Sequence, residues 1–407
     1  MCSYWEDNCQ ELQKHFFKRV IRKMKRNSMT FSRVLVCSFL GALLTFATLS
    51  SAKTIKVAIL GDSLATGAGA HPNLTFDKGV FAQIFNNKIA VNPVVSDIPE
   101  YERFGLEGIA DGPLAAPQRA WPSSREFKGG AEWIFQNFMA AISHKYLNTE
   151  EYSWGYLTAR GLGVPADNIL IAAQDGARTK DIPRQLDRIL DLTQSVLPEQ
   201  ILVLFTGNDL CAPRMSMVTN ATDYESDLNT GIEYLIRNGK PHPNGTTVYV
   251  VGFLNALQLL HSDEILNTKV TAFGEEMSCK QLREQRYQNL NADVPAPGGE
   301  NALEAFLYMN MPPNPLAYCP TLFGTSIDSE AGSIGKLANR IHEYRDAQKK
   351  LVKNYTEAET PGLNWEYVDS PTKVIFDGND IAGDCFHLSP HGQSKVAAAI
   401  LQDINKL

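Results

Sequence analysis

The sequence predicts an α/β fold, a three-layer α/β/α sandwich with a central parallel sheet, and three observations carry that prediction. Short runs rich in Val, Ile and Leu recur along the chain, segments of helical periodicity alternate with them, and chemically distinctive residues stand just past the ends of those runs. Runs of this composition suit strands covered on both faces. Their alternation with helices implies a parallel sheet packed between two helix layers.

The strand-like runs are Ile55–Leu60, Ile169–Ala173, Ile201–Phe205 and Thr247–Gly252, with a weaker one at Asn364–Val368. Helical patterns fall between and after them at Glu132–Tyr146, Asp181–Leu192, Asp223–Arg237, Lys336–Tyr355 and Pro390–Ile404. The span 53–407 exceeds a minimal core and reads as one domain with insertions. Three stretches fit no strand–helix repeat: roughly 70–130, 211–220 and 253–335. The last contains Pro295-Ala296-Pro297-Gly298-Gly299 and Met311-Pro312-Pro313-Asn314-Pro315, and loops of this length are usually functional or disordered.

The ends of the chain bear on compartment. Lys14, Lys18, Arg19, Arg22, Lys23, Lys25 and Arg26 precede an apolar run from Val34 to Leu49, and Ser50-Ser51-Ala52 closes it with small residues. That is the charge order of an export signal, with cleavage expected after Ala52 and an uncleaved anchor as the alternative. Because the basic region is long for a signal peptide, Met29 is the expected start. Cys37 lies too early in the apolar run to be acylated at a cleavage site. The expected location is therefore extracytoplasmic, secreted or periplasmic.

Without residues 1–52 the chain keeps 30 basic and 42 acidic residues, a formal charge of −12. Such a balance argues against a nucleic-acid partner and against attraction to anionic membranes. Transient contact with a lipid surface would rely on apolar insertion or zwitterionic head groups. Four cysteines remain, Cys211, Cys279, Cys319 and Cys385, so two disulfides and buried free thiols both stay open. No Cys-x-x-Cys or His-rich spacing points to zinc, and Asp377, Asn379 and Asp380 lack the order of a calcium loop and read as a turn. No cofactor is expected. Asn73, Asn220, Asn244 and Asn354 begin glycosylation sequons, which carry meaning for a eukaryotic source.

Gly61-Asp62-Ser63-Leu64 follows the alternation of Ile55, Val57 and Ile59, so Ser63 stands at a strand end as a candidate nucleophile. A serine hydroxyl needs an imidazole to take its proton, and the imidazole needs a carboxylate to fix its tautomer. Asp384-Cys385-Phe386-His387 supplies both, just before Leu388-Ser389-Pro390-His391-Gly392; His391 is taken as a surface residue at a helix start. Attack on an ester carbonyl also creates an oxyanion that requires donors. Gly207-Asn208-Asp209 offers a side-chain amide after one strand, and Gly176 in Gln174-Asp175-Gly176-Ala177-Arg178 offers a backbone N–H after another. The Gly-x-Ser-x-Gly elbow is absent, because Ala65 replaces its second glycine.

These blocks, in this order, resemble the SGNH or GDSL hydrolases. The resemblance implies the flavodoxin-like fold of that family, with Ser63 as nucleophile, His387 as base and Asp384 as its carboxylate. Ser63, Gly176 and Asn208 match the oxyanion donors. Gly-Asn-Asp-Leu-Cys at 207–211 and Asp-Cys-Phe-His-Leu-Ser at 384–389 are similar to the phospholipase B branch. A serine esterase acting on phospholipid or lysophospholipid is thus expected. A carbohydrate or peptidoglycan O-deacetylase, a lipid acyltransferase and a catalytically idle lipid- or glycan-binding protein are the alternatives. Phe81, Phe85, Trp121 and Trp133, or Phe306, Tyr308, Met309 and Met311, are candidates to wall an acyl pocket, although packing is the commoner role of an aromatic. Because the blocks holding Cys211 and Cys385 converge in that fold, a bridge between these two is geometrically open. Oligomeric state is not legible.

Overall fold

The structure, a computed structural model, describes residues 54–68, 70, 118–119, 150–212, 215–272, 275–283, 320–323 and 333–406. All belong to one compact unit, Thr54–Leu407. The expected export signal, the pattern at Glu132–Tyr146, the acyl-pocket candidates named above and Cys319 lie outside the described residues.

The central sheet comprises β1 (Val57–Gly61), β2 (Gln118–Arg119), β3 (Ile169–Ile171), β4 (Gln200–Leu204), β5 (Thr246–Val251) and β8 (Leu363–Val368), in the order β2-β3-β1-β4-β5-β8. Every pairing is parallel, with Val57 opposite both Ile169 and Gln200, and Gly61 opposite Leu204. An antiparallel pair, β6 (Lys269–Ala272) and β7 (Glu275–Ser278), stands apart from it. The longer helices are α1 (Trp154–Gly161), α2 (Ile182–Leu192), α3 (Ala221–Asn238), α4 (Ser333–Glu357) and α5 (Pro390–Ile404).

Period-two alternation divides each strand between two cores. Ala58, Leu60, Ile201, Val203, Val248 and Val250 pack on one face with Leu186 and Ile189 of α2, Leu228 and Ile232 of α3, and Leu337 and Ile341 of α4. Val57, Ile59, Leu202, Leu204 and Val251 face the other way, onto Leu157 of α1 and Val396 and Ile400 of α5. Both faces of the sheet are therefore covered, giving the three expected layers.

Capping explains where the helices start. Asn220 and Ser389 accept from the N–H of Asp223 and Gly392, and Pro390 occupies the first turn of α5, where its missing N–H costs nothing. Helix α1 is not predicted from the sequence. Most of its residues are buried, so it has no polar face to set a 3.6-residue period, and Gly155 interrupts it where an added Cβ would meet Ile59 Cγ2 at 2.6 Å. The predicted strand Ile169–Ala173 ends at Ile171 as β3, and the stretches without a repeat supply β2, β6 and β7.

Candidate active site

Three neighbouring strands, β3, β1 and β4, end side by side, and their following loops carry Gly176, Ser63 and Asn208 respectively. After Gly61 the chain enters a tight helical turn in which Asp62 O accepts from the N–H of Ala65 and Thr66. Gly61 is required by close approach, since a Cβ there would meet Leu204 O at 2.4 Å. Two buried glutamines hold this turn. Gln185 of α2 accepts from Gly61 N at 2.9 Å and donates to Gly61 O at 2.8 Å, while Gln393 of α5 donates to Leu64 O and accepts from Trp154 N.

The loops are stitched to each other. Asp62, wholly buried, accepts from Leu64 N (3.0 Å), Thr206 N (2.9 Å), Thr206 Oγ1 (3.2 Å) and Gly207 N (3.2 Å), which joins the Ser63 turn to the loop after β4. Burial pushes its carboxyl pKa up, and these bonds partly offset the shift. Thr66 Oγ1 lies 2.5 Å from Asp175 Oδ1 and 3.0 Å from Ser63 O, bringing the loop after β3 to the same turn. Asn208 Nδ2 donates to Ala177 O at 3.0 Å, and Gly176 sits exposed at φ +74°, a conformation suited to glycine.

The Asp384–His387 loop closes between Ile381 and Leu388, which form an antiparallel bridge, before Ser389 starts α5. His387 Nε2 lies 2.9 Å from Ser63 Oγ, and His387 Nδ1 lies 2.5 Å from Asp384 Oδ2. Asp384 Oδ1 accepts from the N–H of Phe386 and His387, both at 2.9 Å. Burial alone would raise the Asp384 pKa, but the His387 charge and these donors hold it below the usual carboxylate range. Burial alone would lower the His387 pKa, yet the Asp384 charge and hydrogen bond, with the charges of Asp175 and Asp62, hold it above its ordinary 6.5. His387 thus has a carboxylate on one ring nitrogen and a serine hydroxyl on the other, the arrangement that general-base activation of a serine requires.

Beside this line opens a cleft walled by Leu64, Leu254, Leu259, Leu322, Phe376 and Phe386, with Ser63, Asn208 and His387 also lining it. The cleft is predominantly apolar with few polar groups, as small-molecule sites are. Its walls come partly from the 253–335 stretch, through Leu254, Leu259 and Leu322.

Among the pairings that the sequence leaves open, Cys385 is bonded to Cys279, because β7 and the residues after it pack against the Asp384–His387 loop. Cys211 is itself disulfide-bonded. His391 is not a simple surface residue, since its Nδ1 lies 2.5 Å from Oδ1 of the buried Asp380, and Lys395 Nζ bridges Asp380 and Asp377. Asp377 caps a short 3-10 turn at Gly378–Asp380, as the turn assignment expects. Among the described residues no group of three or more His, Cys, Asp or Glu is arranged to hold a metal ion, and no helix is long and apolar enough to cross a membrane.

Asp62, Thr66, Asp175 and Arg283 have structural parts in the site that the motifs alone do not reveal. A signal existed for the first, since an Asp two residues before Leu64 is placed to form an Asx turn. Arg283 lies in a stretch with no motif around it.

No curated protein matches the chain. Residues 57–400 match the model of GDSL-like lipase/acylhydrolases, from β1 into α5, and the parallel sheet flanked by helices is consistent with the three-layer fold of that family. With that match covering most of its length, the chain belongs to the GDSL-like lipase/acylhydrolase family, whose members are acyl-ester hydrolases.

Proposed function

We propose that the protein is an exported serine esterase of the phospholipase B or lysophospholipase type. The observation that carries this reading is the hydrogen-bonded line from Ser63 Oγ through His387 to buried Asp384, opening on an apolar cleft. Ser63 Oγ attacks the acyl carbonyl as its proton passes to His387 Nε2, and Asp384 stabilises the imidazolium. The N–H groups of Ser63 and Gly176 and the Asn208 side chain receive the oxyanion. His387 then protonates the departing alkoxide, leaving an acyl-Ser63 ester. Water, deprotonated by the same imidazole, releases the fatty acid.

The apolar lining of the cleft, leucines and phenylalanines with few polar groups, suits an acyl chain better than a polar carbohydrate acetate. The phospholipid head group rests on the motif resemblance at 207–211 and 384–389. Export rests on the charge order of residues 1–52, with the Cys279–Cys385 disulfide compatible with an oxidising compartment. On this reading residues 1–52 are a leader and 53–407 a single hydrolase domain.

The test is fatty-acid release from diacyl- and lyso-phosphatidylcholine, alongside a short acetyl ester, by the protein and by Ser63→Ala. Release from the phospholipids that disappears in Ser63→Ala is expected. Hydrolysis of the acetyl ester alone would make the protein a deacetylase, and loss of neither activity in Ser63→Ala would refute the nucleophile assignment.

A further inference from the structure

The segment Glu275–Arg283 lies outside the strand–helix repeat, yet it is joined to the Asp384–His387 loop in three ways. Cys279 is bonded to Cys385, with Cα atoms 5.4 Å apart. Val270, Met277, Cys279 and Leu282 form an apolar cluster with Cys385. Arg283, only 5% exposed, donates through Nη2 to Cys385 O at 2.7 Å and through Nη1 to Leu259 O.

Each contact bears on the proposed base. Cys385 follows Asp384 directly and precedes His387 by two residues, and it holds φ +61°, which a non-glycine residue keeps only when its surroundings impose it. A buried guanidinium is costly unless its donors are paired. Burial pushes the Arg283 pKa down to about 10, with the Asp384 charge opposing that shift. Leu259, the second acceptor, walls the cleft, so one planar fork ties the base loop to the acyl site.

We propose that Arg283 is a positioning residue for acyl transfer, acting with the Cys279–Cys385 disulfide as a brace that keeps His387 in reach of Ser63. The proposal rests on the triad reading and adds to it groups that touch no reacting atom. The Ser63–His387 hydrogen bond of 2.9 Å is what the brace protects. Displacement of a catalytic group by about 1 Å costs on the order of 10²-fold in rate.

The experiment uses the full chain and measures kcat and KM on a short soluble ester, the rate of fluorophosphonate labelling of Ser63, and Tm. Arg283→Gln should lower kcat and the labelling rate together by roughly 10- to 100-fold, with KM little changed. Arg283→Lys should recover part of the loss, because an ammonium keeps the charge but not the fork. In the parent protein, reduction of Cys385, confirmed by mass spectrometry, should slow labelling, and reoxidation should restore it. Parental kcat and labelling in Arg283→Gln, with only Tm lowered, would make the segment a structural tie and overturn the proposal. Should Arg283→Gln fail to fold, undiminished labelling in folded, reduced parent would overturn it equally. Failure of the parent to label, or labelling of Ser63→Ala, would remove the triad reading itself, a result distinct from either.

Discussion

Asn208 illustrates how one side chain is fixed for a task by its neighbours. One of its amide hydrogens is committed to Ala177 O, which orients the group in the lining of the cleft beside Ser63. If it donates to the oxyanion, Asn208→Ala should lower kcat by on the order of 10²–10³-fold with KM nearly constant; parental turnover would remove it from that role. Asp175 acts at a distance. Its charge helps hold the His387 pKa above 6.5, and a general base must be neutral to work, so kcat/KM should rise with pH through an apparent value above 6.5. Asp175→Asn removes one of the charges that favour the imidazolium, so the acid limb should move to lower pH. A pH–rate profile on a neutral ester reads this directly, and a limb that stays in place or moves up would contradict it. Asp62 is the third case, because its four accepted bonds hold two strand-end loops together. Replacing it with alanine leaves buried donors unpaired at about 1–3 kcal/mol each, which should appear as a marked drop in Tm.

At the level of elements, legibility followed physical pattern. The five strands read from Ile, Val and Leu runs are all present, because a strand covered on both faces has a composition that little else in the chain imitates. Helices with one apolar stripe, such as α2 with Ile182, Leu186 and Ile189 buried, are equally plain. Ser63, Asp384 and His387 were legible as candidates because each sits in a short motif, and the fold brings them together. What could not be read is long-range pairing. Nothing in the sequence says that Gln185 grips Gly61 across 124 residues, that Cys279 and not Cys211 bonds Cys385, or that Arg283 meets the base loop. Helix α1 escaped for a local reason, its near-complete burial, and it yields a sharp prediction. Gly155 lets α1 touch Ile59 of β1, the strand that leads into the Ser63 turn, where a Cβ would stand 2.8 Å or less from two Ile59 carbons. Overpacking of this kind costs about 1–3 kcal/mol, so Gly155→Ala should lower Tm despite its better helix propensity. Pairing it with Ile59→Ala, which removes both contacting Cγ carbons, should make the double variant less costly than the sum of the two single changes.

For the molecule as a whole, the shifts of its buried acids and of His387 set stability and activity against each other along the pH axis. Asp209, buried behind Asn208 and accepting from Thr179 N, Thr179 Oγ1 and Thr219 Oγ1, has its pKa pushed up by burial to about 6, against 3.8 for a free side chain. Between those values the folded protein binds more protons than the unfolded chain, so stability falls as pH rises. A separation of about two pKa units corresponds to on the order of 3 kcal/mol. His387, also raised, contributes in the same direction: its stabilisation is complete below 6.5 and is lost as pH climbs through its folded value. Asp384, Asp369, Asp377 and Asp403 have lowered pKa values and work the other way, but only as pH falls below 3.8. On the proposed mechanism, catalysis by neutral His387 requires the very deprotonation that removes its share of stability. The pH of greatest Tm should therefore lie below the pH of greatest kcat/KM. Thermal unfolding from pH 4 to 9, set beside the pH–rate profile, measures the gap, and coincident maxima would contradict the account. Asp209→Asn separates the contributions, because it should flatten the Tm curve between about pH 4 and 6 and leave in place the slope that His387 and the raised Asp62 contribute.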